Sequence, residues 1–199
     1  NLIELKYIIY EQPEKKIINK ILIVGNNITD DFVIRNNLNF SEGDTFVVSK
    51  LNSSIEKIKG KGLFKNVSSE AKIDNDNKIN LEIKVEEQPT GEISAGAGAG
   101  TSGATVSAGI KERNFLGRGI LLNSNINLGT QKILGSLDYS DPDFRNSGNS
   151  FNSSLFVESN DYENASYENK VIGGSISTKY ELYDKFFLSP GFSVDYDSV

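Results

Sequence analysis

The chain has 199 residues and contains no cysteine, histidine, tryptophan or methionine. Without Cys and His it can form no disulfide, no usual zinc site and no catalytic centre based on a thiolate or an imidazole. The lack of Met and of a leading apolar segment indicates an internal piece of a longer protein, with any targeting signal outside it. From this composition we expect no metal site and no cofactor.

The chain is also short of positive charge and of long apolar runs. Its 21 basic residues are outnumbered by 27 acidic ones, which gives a net charge of −6. This balance argues against a nucleic-acid partner, which requires a basic face. No stretch approaches the roughly 18 apolar residues of a membrane helix. The mean hydropathy of −0.35 still allows a membrane-spanning sheet, because strands that alternate apolar and polar residues average to a mild value.

Residues 14–89 have the pattern of a small α+β domain. Two amphipathic segments follow the first strand pattern, and we expect Thr29 and Ser49 to be their helix N-caps. The expected strands lie at 17–24, 64–73 and 78–86. The order β-α-α-β-β predicts two helices on one face of a mixed three-stranded sheet.

Residues 1–13 repeat residues 77–89 at a spacing of 76 without a gap. The apolar residues Ile3, Leu5 and Ile9 align with Ile79, Leu81 and Val85, and the tripeptide Glu-Gln-Pro ends both segments. A strand pattern and a following tripeptide that recur at the spacing of one domain predict tandem modules. Residues 1–13 are then the tail of a preceding copy.

The character of the sequence changes between residues 86 and 100. Pro89 and Gly91 break the preceding strand pattern, and 95–100 reads Ala-Gly-Ala-Gly-Ala-Gly. Glycine in a strand interior weakens it and permits close backbone approach. From Gly91 onward we count seven strands, and all but 151–158 alternate well with a period of two. The length of these strands is close to what a tilted strand needs to cross a bilayer.

The alternation divides the side chains of these strands between two faces. The apolar face contains Val106, Ile110, Leu122, Ile126, Leu137, Ile176, Phe192 and Val194. The polar face contains Lys111, Asn123, Asn125, Asp138, Ser177 and Lys179. A soluble β-sandwich would also alternate. The membrane interpretation is favoured by aromatic residues near strand ends, among them Tyr139, Tyr183 and Tyr196.

Two short motifs connect pairs of these strands. The first is Asn114-Phe115-Leu116-Gly117-Arg118-Gly119, and the second is Asp141-Pro142-Asp143-Phe144. Each is an ordinary turn when taken alone, with Gly117 and Gly119 supplying permissive dihedral angles. Together, after a β-α-α-β-β module, they resemble the BamA family of outer-membrane assembly factors, in which POTRA domains precede a transmembrane β-barrel.

The resemblance covers essentially the whole chain and implies its organisation. Residues 1–13 correspond to the end of one POTRA domain, 14–89 to a complete one, and 90–199 to the first strands of a truncated barrel. The resemblance also implies that the turns at 114–118, 141–149 and 183–185 are periplasmic. The loop at 160–169 is then the longest outer loop.

The resemblance further implies a function without bond chemistry at the Gram-negative outer membrane. Unfolded outer-membrane proteins would be the clients, the POTRA domain would guide them, and lipoproteins of an assembly complex and the lipid bilayer would be partners. The first barrel strand would pair with client strands at a lateral seam, through Ile93, Ala95, Gly96, Ala97, Gly98, Ala99 and Gly100. The alternative is a purely structural role, in which these small residues only fit a crowded barrel wall.

Two other function classes stay open at this point. A TamA-like relative or a two-partner secretion pore shares the POTRA-like module, whereas a simple porin does not. An enzyme would have to use carboxylate pairs such as Asp74/Asp76, Asp141/Asp143 or Glu86/Glu87. Because these pairs lie in turns or linkers, where acidic residues are ordinary, we expect no enzyme.

Overall fold

The computed structural model describes residues 15–100, 103–162 and 167–199. The expected tail of a preceding module at 1–13, and with it the repeat, lies outside the described residues. The rest forms a three-stranded sheet and an eight-stranded sheet. This is the predicted fold class, an α+β region followed by an antiparallel sheet.

The N-terminal region has the predicted order of elements. They are β1 (Ile18–Val24), α1 (Asp31–Arg35), α2 (Val48–Gly60), β2 (Phe64–Ile73) and β3 (Ile79–Glu87). Strand β3 is central, parallel to β1 and antiparallel to β2, so the sheet is mixed as expected.

The core of this region lies between the sheet and the two helices. Alternate residues of β3 are buried, and α2 covers them with residues spaced at three and four along one side. The buried set includes Leu81, Ile83, Val85, Leu51, Ile55, Ile58, Val33 and Ile34. Each such side chain contributes about 1.5–3 kcal/mol by leaving water.

Both predicted helix caps are wrong. Helix α2 begins at Val48 after Val47, so Ser49 lies inside the helix, and no side chain caps its N-terminus. Asp30, not Thr29, holds the N-cap position of α1, also without a side-chain cap bond. The Thr29 hydroxyl is committed elsewhere, as described below. In the described part of the chain no helix is both long and apolar enough to cross a membrane.

The C-terminal region is one antiparallel sheet. Its strands are β4 (Gly91–Gly100), β5 (Gly103–Phe115), β6 (Ile120–Gly129), β7 (Lys132–Asp141), β8 (Ser150–Tyr162), β9 (Tyr167–Tyr183), β10 (Phe186–Leu188) and β11 (Gly191–Ser198). The predicted seventh strand is divided at Ser189-Pro190 into β10 and β11, which both pair with β9. Proline has no backbone N–H for the ladder, which accounts for the break.

Strands β8 and β9 are longer than the sequence pattern predicts, at 13 and 17 residues. They pair as far as Asn160 with Asn169 and beyond, so the expected outer loop at 160–169 is wrong in its limits. Phe156 and Ser153, which break the expected alternation, are regular strand residues. The Phe156 ring lies over Gly173, and any side chain at position 173 would collide with that ring.

The strand register confirms the predicted division into two faces. Ala108, Ile126, Gly135, Val157 and Ile172 follow one another across neighbouring strands, which places them on one face. The opposite row runs from Lys111 through Asn123 and Asp138 to Ser154. There Asp138 accepts hydrogen bonds from the Asn123 amide at 3.2 Å and the Ser154 hydroxyl at 2.7 Å. Many apolar-face side chains are exposed, as on a lipid-facing surface.

Candidate functional site

Strand β4 is an edge of the large sheet. It pairs with β5 from Gly91 opposite Glu112 to Gly100 opposite Gly103, and in the described residues no strand lies on its other side. All ten residues of β4 are exposed. Its outer edge therefore presents a row of unpaired backbone N–H and C=O groups.

The side chains of β4 contribute little packing. Ile93, at 82% exposure, is its largest apolar side chain, and the residues after Ser94 carry only a methyl group or a hydrogen atom. The register places Ile93 and the alanines on the apolar face and Gly96, Gly98 and Gly100 on the polar face. Among the described residues, one side-chain hydrogen bond joins 95–100 to β5, and it is long, from the Ser107 hydroxyl to the Gly96 carbonyl at 3.5 Å.

The three glycines of β4 differ in the space around them. A Cβ atom at Gly96 would lie 2.9 Å from the Ser107 hydroxyl oxygen, so this glycine fits a crowded position. No atom of the described residues lies within 4 Å of the corresponding point at Gly98 or Gly100. The crowded-wall interpretation therefore applies to Gly96 and is not supported by the described neighbours of Gly98 and Gly100.

The opposite end of β4 has contacts in addition to its backbone pairing with β5. Arg113 pairs with Glu92 at 3.1 Å and donates its backbone N–H to the Thr90 carbonyl at 3.4 Å. Gln88, in the linker, donates its side-chain amide to the Gly62 carbonyl at 2.9 Å. Side-chain contacts of β4 are thus concentrated near the linker and sparse towards Gly100, while its backbone pairing with β5 continues to Gly100.

The first turn motif closes on itself through Asn114. Its side-chain oxygen accepts the Gly119 N–H at 2.8 Å, and its carbonyl accepts the Gly117 N–H at 2.9 Å. Leu116, Gly117 and Gly119 all have positive φ, between 59° and 73°. Glycine adopts this conformation readily, whereas Leu116 adopts it against the usual preference of a residue with a Cβ atom. Phe115 pairs with Ile120 across the turn and completes the hairpin.

The second turn motif is organised around a buried carboxylate. Asp141 is 1% exposed and accepts the Asp143 N–H at 3.1 Å. Its other oxygen lies 3.6 Å from an Arg118 nitrogen of the first turn. Phe144 packs on Phe151 with ring centroids 5.0 Å apart. The structure therefore brings the two motifs together, and Arg118 is a member of this contact that sequence reasoning missed.

The two turns and the N-terminal region enclose a cleft. Its volume is about 460 Å³, and its walls include Val33, Asn36, Arg118, Pro142 and Asp143. The Asn36 side-chain amide donates a hydrogen bond to Asp143 across it. Both turns thus lie at the end of the sheet that faces the α+β region.

The carboxylate pairs considered for catalysis have structural partners. Asp74 accepts the N–H groups of Asp76 and Lys78 and thereby closes the β2–β3 turn. Glu86 pairs with Lys65 on the neighbouring strand at 3.1 Å. Within the described ranges no cluster of three or more Asp or Glu residues has an arrangement that would hold a metal ion.

Comparison with known proteins places these features in a family. Residues 16–88 match POTRA, described as a surface antigen variable number repeat, and residues 114–199 match the Omp85 superfamily domain. The outer membrane protein assembly factor BamA of Neisseria meningitidis serogroup B is 30% identical over 190 residues, 90% of this chain. The chain belongs to the BamA family.

The relatives are much longer than the chain. BamA of Neorickettsia risticii is 31% identical over 185 residues, which cover 92% of this chain and 25% of the relative. For the Neisseria protein the covered share is 24%. The chain thus spans about a quarter of the length of these curated relatives.

Solved structures agree with the assignment. BamA from Haemophilus ducreyi lacking POTRA domains 1–3 superposes with a TM-score of 0.76 at 26% identity, covering 92% of this chain and 36% of that one. CdiB from Escherichia coli reaches a TM-score of 0.58 at 12% identity, covering 92% and 37%. The CdiB comparison shows a shared fold alone.

Proposed function

We propose that the full-length protein inserts and assembles other proteins in the Gram-negative outer membrane, with β4 as the strand on which client strands form. The single observation that carries this proposal is the edge of β4, which has unpaired backbone groups and almost no side-chain packing over 95–100. A client strand would add to this edge by β-augmentation. The client-pairing residues are Ile93, Ala95, Gly96, Ala97, Gly98, Ala99 and Gly100.

The physical drive comes from the bilayer. An unpaired backbone group in hydrocarbon costs several kcal/mol. Any strand that pairs with an open strand edge at membrane depth therefore lowers the free energy of that edge. Such pairing exchanges hydrogen bonds and breaks no covalent bond, so the activity requires neither a catalytic residue nor a cofactor. The exposed apolar face, with Val106, Ile110 and Ile126, would contact lipid.

The POTRA domain has a supporting role in this proposal. It would lie in the periplasm, guide clients towards the seam and contact lipoproteins of an assembly complex. Among the described residues its outer strand β2 pairs only with β3 and so presents an edge to which an extended client can add. The outer edge of β1 is instead bonded to the loop at Gly43 and Asp44 through Ile18. The turns at 114–119 and 141–144 would be periplasmic and hold this domain in place.

A second candidate is a TamA-like or two-partner secretion pore for one exported protein, which the combination of a POTRA domain with an Omp85 domain also permits. Depletion of the full-length protein in its own cells separates the two. An assembly factor predicts that many unrelated outer-membrane proteins accumulate unfolded in the periplasm. A dedicated pore predicts that one exported protein is retained while the other outer-membrane proteins assemble normally.

A further inference from the structure

The first turn motif bonds directly to the POTRA domain. The Asn114 side-chain amide donates to the Thr29 hydroxyl oxygen at 2.9 Å, and the Asp30 N–H donates to the Gly117 carbonyl at 2.8 Å. Thr29 and Asn114 are 2% and 8% exposed, so water cannot readily replace their bond. The contact joins segments 85 residues apart in the chain.

The hydrogen bonding continues from Thr29 into the end of β3. The link is the Thr29 backbone N–H, which donates to the Glu87 carboxylate at 2.6 Å. That carboxylate also accepts the backbone N–H groups of Asn27 and Ile28, both at 3.0 Å. Glu87 is the last residue of β3, and β4 begins at Gly91. One chain of bonds therefore runs from a barrel turn, through the POTRA loop, to the base of the edge strand.

Close packing permits little adjustment at this junction. A side chain at Gly117 would collide with the Ile28 carbonyl, and one at Gly119 would lie 3.3 Å from a Val33 methyl group. If the turn moved away without opening to water, it would leave the Asn114 amide and the Thr29 hydroxyl buried and unpaired. Unpaired buried polar groups are costly, so the docked arrangement is strongly specified.

We propose that Asn114, Thr29 and Glu87 form a latch that fixes the POTRA domain against the end of the barrel. Thr29 is the central element, because its hydroxyl accepts from Asn114 while its backbone N–H donates to Glu87. The POTRA domain can leave its docked position only when the Asn114–Thr29 bond breaks. This inference concerns domain orientation and does not depend on which proteins the barrel assembles.

The test is Thr29→Val in the full-length protein embedded in lipid, because valine keeps the shape of threonine and removes the hydroxyl. The readout is hydrogen exchange at the Asp30 amide, whose acceptor Gly117 lies across the junction. We expect exchange to accelerate by about 5- to 150-fold, the range that corresponds to losing one buried hydrogen bond. Thr29→Ser, which restores the hydroxyl, should return exchange to near the original rate.

Ser54→Ala is the matched control, because Ser54 is a fully buried hydroxyl that bonds within the POTRA domain to the Asn39 N–H. This variant should leave the ratio of the Asp30 exchange rate to that of the central β3 amides unchanged. Equal Asp30 exchange in Thr29→Val and the original protein would overturn the latch. Equal acceleration at Asp30 and at Ile83, in the middle of β3, would also overturn it, because the variant would then unfold the domain rather than undock it.

Discussion

Replacing Gly98 and Gly100 together with valine should hold the edge strand in a closed sheet and slow client assembly. No atom of the described residues lies within 4 Å of a Cβ at either position, and neither has positive φ, so valine meets no described neighbour and no backbone strain. Glycine in a strand costs roughly 0.5–1 kcal/mol relative to alanine, and one cross-strand pair adds about 0.2–1 kcal/mol. A combined gain near 1.4 kcal/mol shifts an open-to-closed equilibrium about tenfold. Gly96→Val is less informative, because it meets the Ser107 hydroxyl.

The assay combines two measurements on full-length variants in cells that have no other copy. The barrel should remain folded and heat-stable, while the yield of folded client proteins falls severalfold. Alanine at both positions should give a smaller decrease. Ser136→Val is the matched control, since it adds a β-branched side chain to the polar face of β7, away from the edge. Normal client assembly by the double valine variant would refute the argument and leave these glycines without a role at the seam.

Two further predictions concern the lipid face and the POTRA loop. Ile126→Arg should destabilise the barrel by roughly 2–4 kcal/mol if that residue lies near the bilayer midplane. Asn127→Arg, on the opposite face, should destabilise it much less. Equal stability of the two variants in denaturant titrations would contradict a lipid-facing apolar surface. Partial burial pushes the pKa of Glu87 up, but hydrogen bonds from Thr29, Ile28 and Asn27 outweigh it and hold that pKa below the ordinary 4.5. The stabilisation that ionised Glu87 gives to the POTRA domain is therefore present above pH 4.5 and lost as the pH falls through the lowered pKa. Glu87→Gln should lower the stability of the domain at neutral pH and make that stability depend less on pH in the acid range. Glu86→Gln should change neither quantity.

Much of the fold was predictable because the local patterns agree with the tertiary structure. Alternation along β3 and the three-and-four spacing in α2 both report burial against a shared core, so the order of the POTRA elements follows from sequence. Alternation also gave both faces of the barrel sheet correctly. The errors arose where pairing extends or interrupts a pattern, as in the longer β8 and β9 and in the break at Pro190.

The site was predictable only in part, because its decisive contacts are between distant segments. The NFLGRG string indicated a turn, but nothing local indicated that Asn114 bonds to Thr29 or that Arg118 meets Asp141. Thr29 before two aspartates resembles a helix cap, and the tertiary contact overrides that preference. Likewise, the difference in space between Gly96 and Gly98 depends on the strand opposite them, which the sequence of β4 does not contain.

The most direct test of the central claim is site-specific photo-crosslinking along β4 in the full-length protein. A photoreactive residue at Ile93, Ala95 or Ala97 should capture unfolded outer-membrane proteins during their assembly. The same residue at Leu137, on the apolar face of the interior strand β7, is the control and should capture none. Crosslinks at the three β4 positions, with their yield reduced by the double valine change, are the result that this account predicts. An absence of client crosslinks along 93–97, in cells that assemble outer-membrane proteins normally, would contradict it.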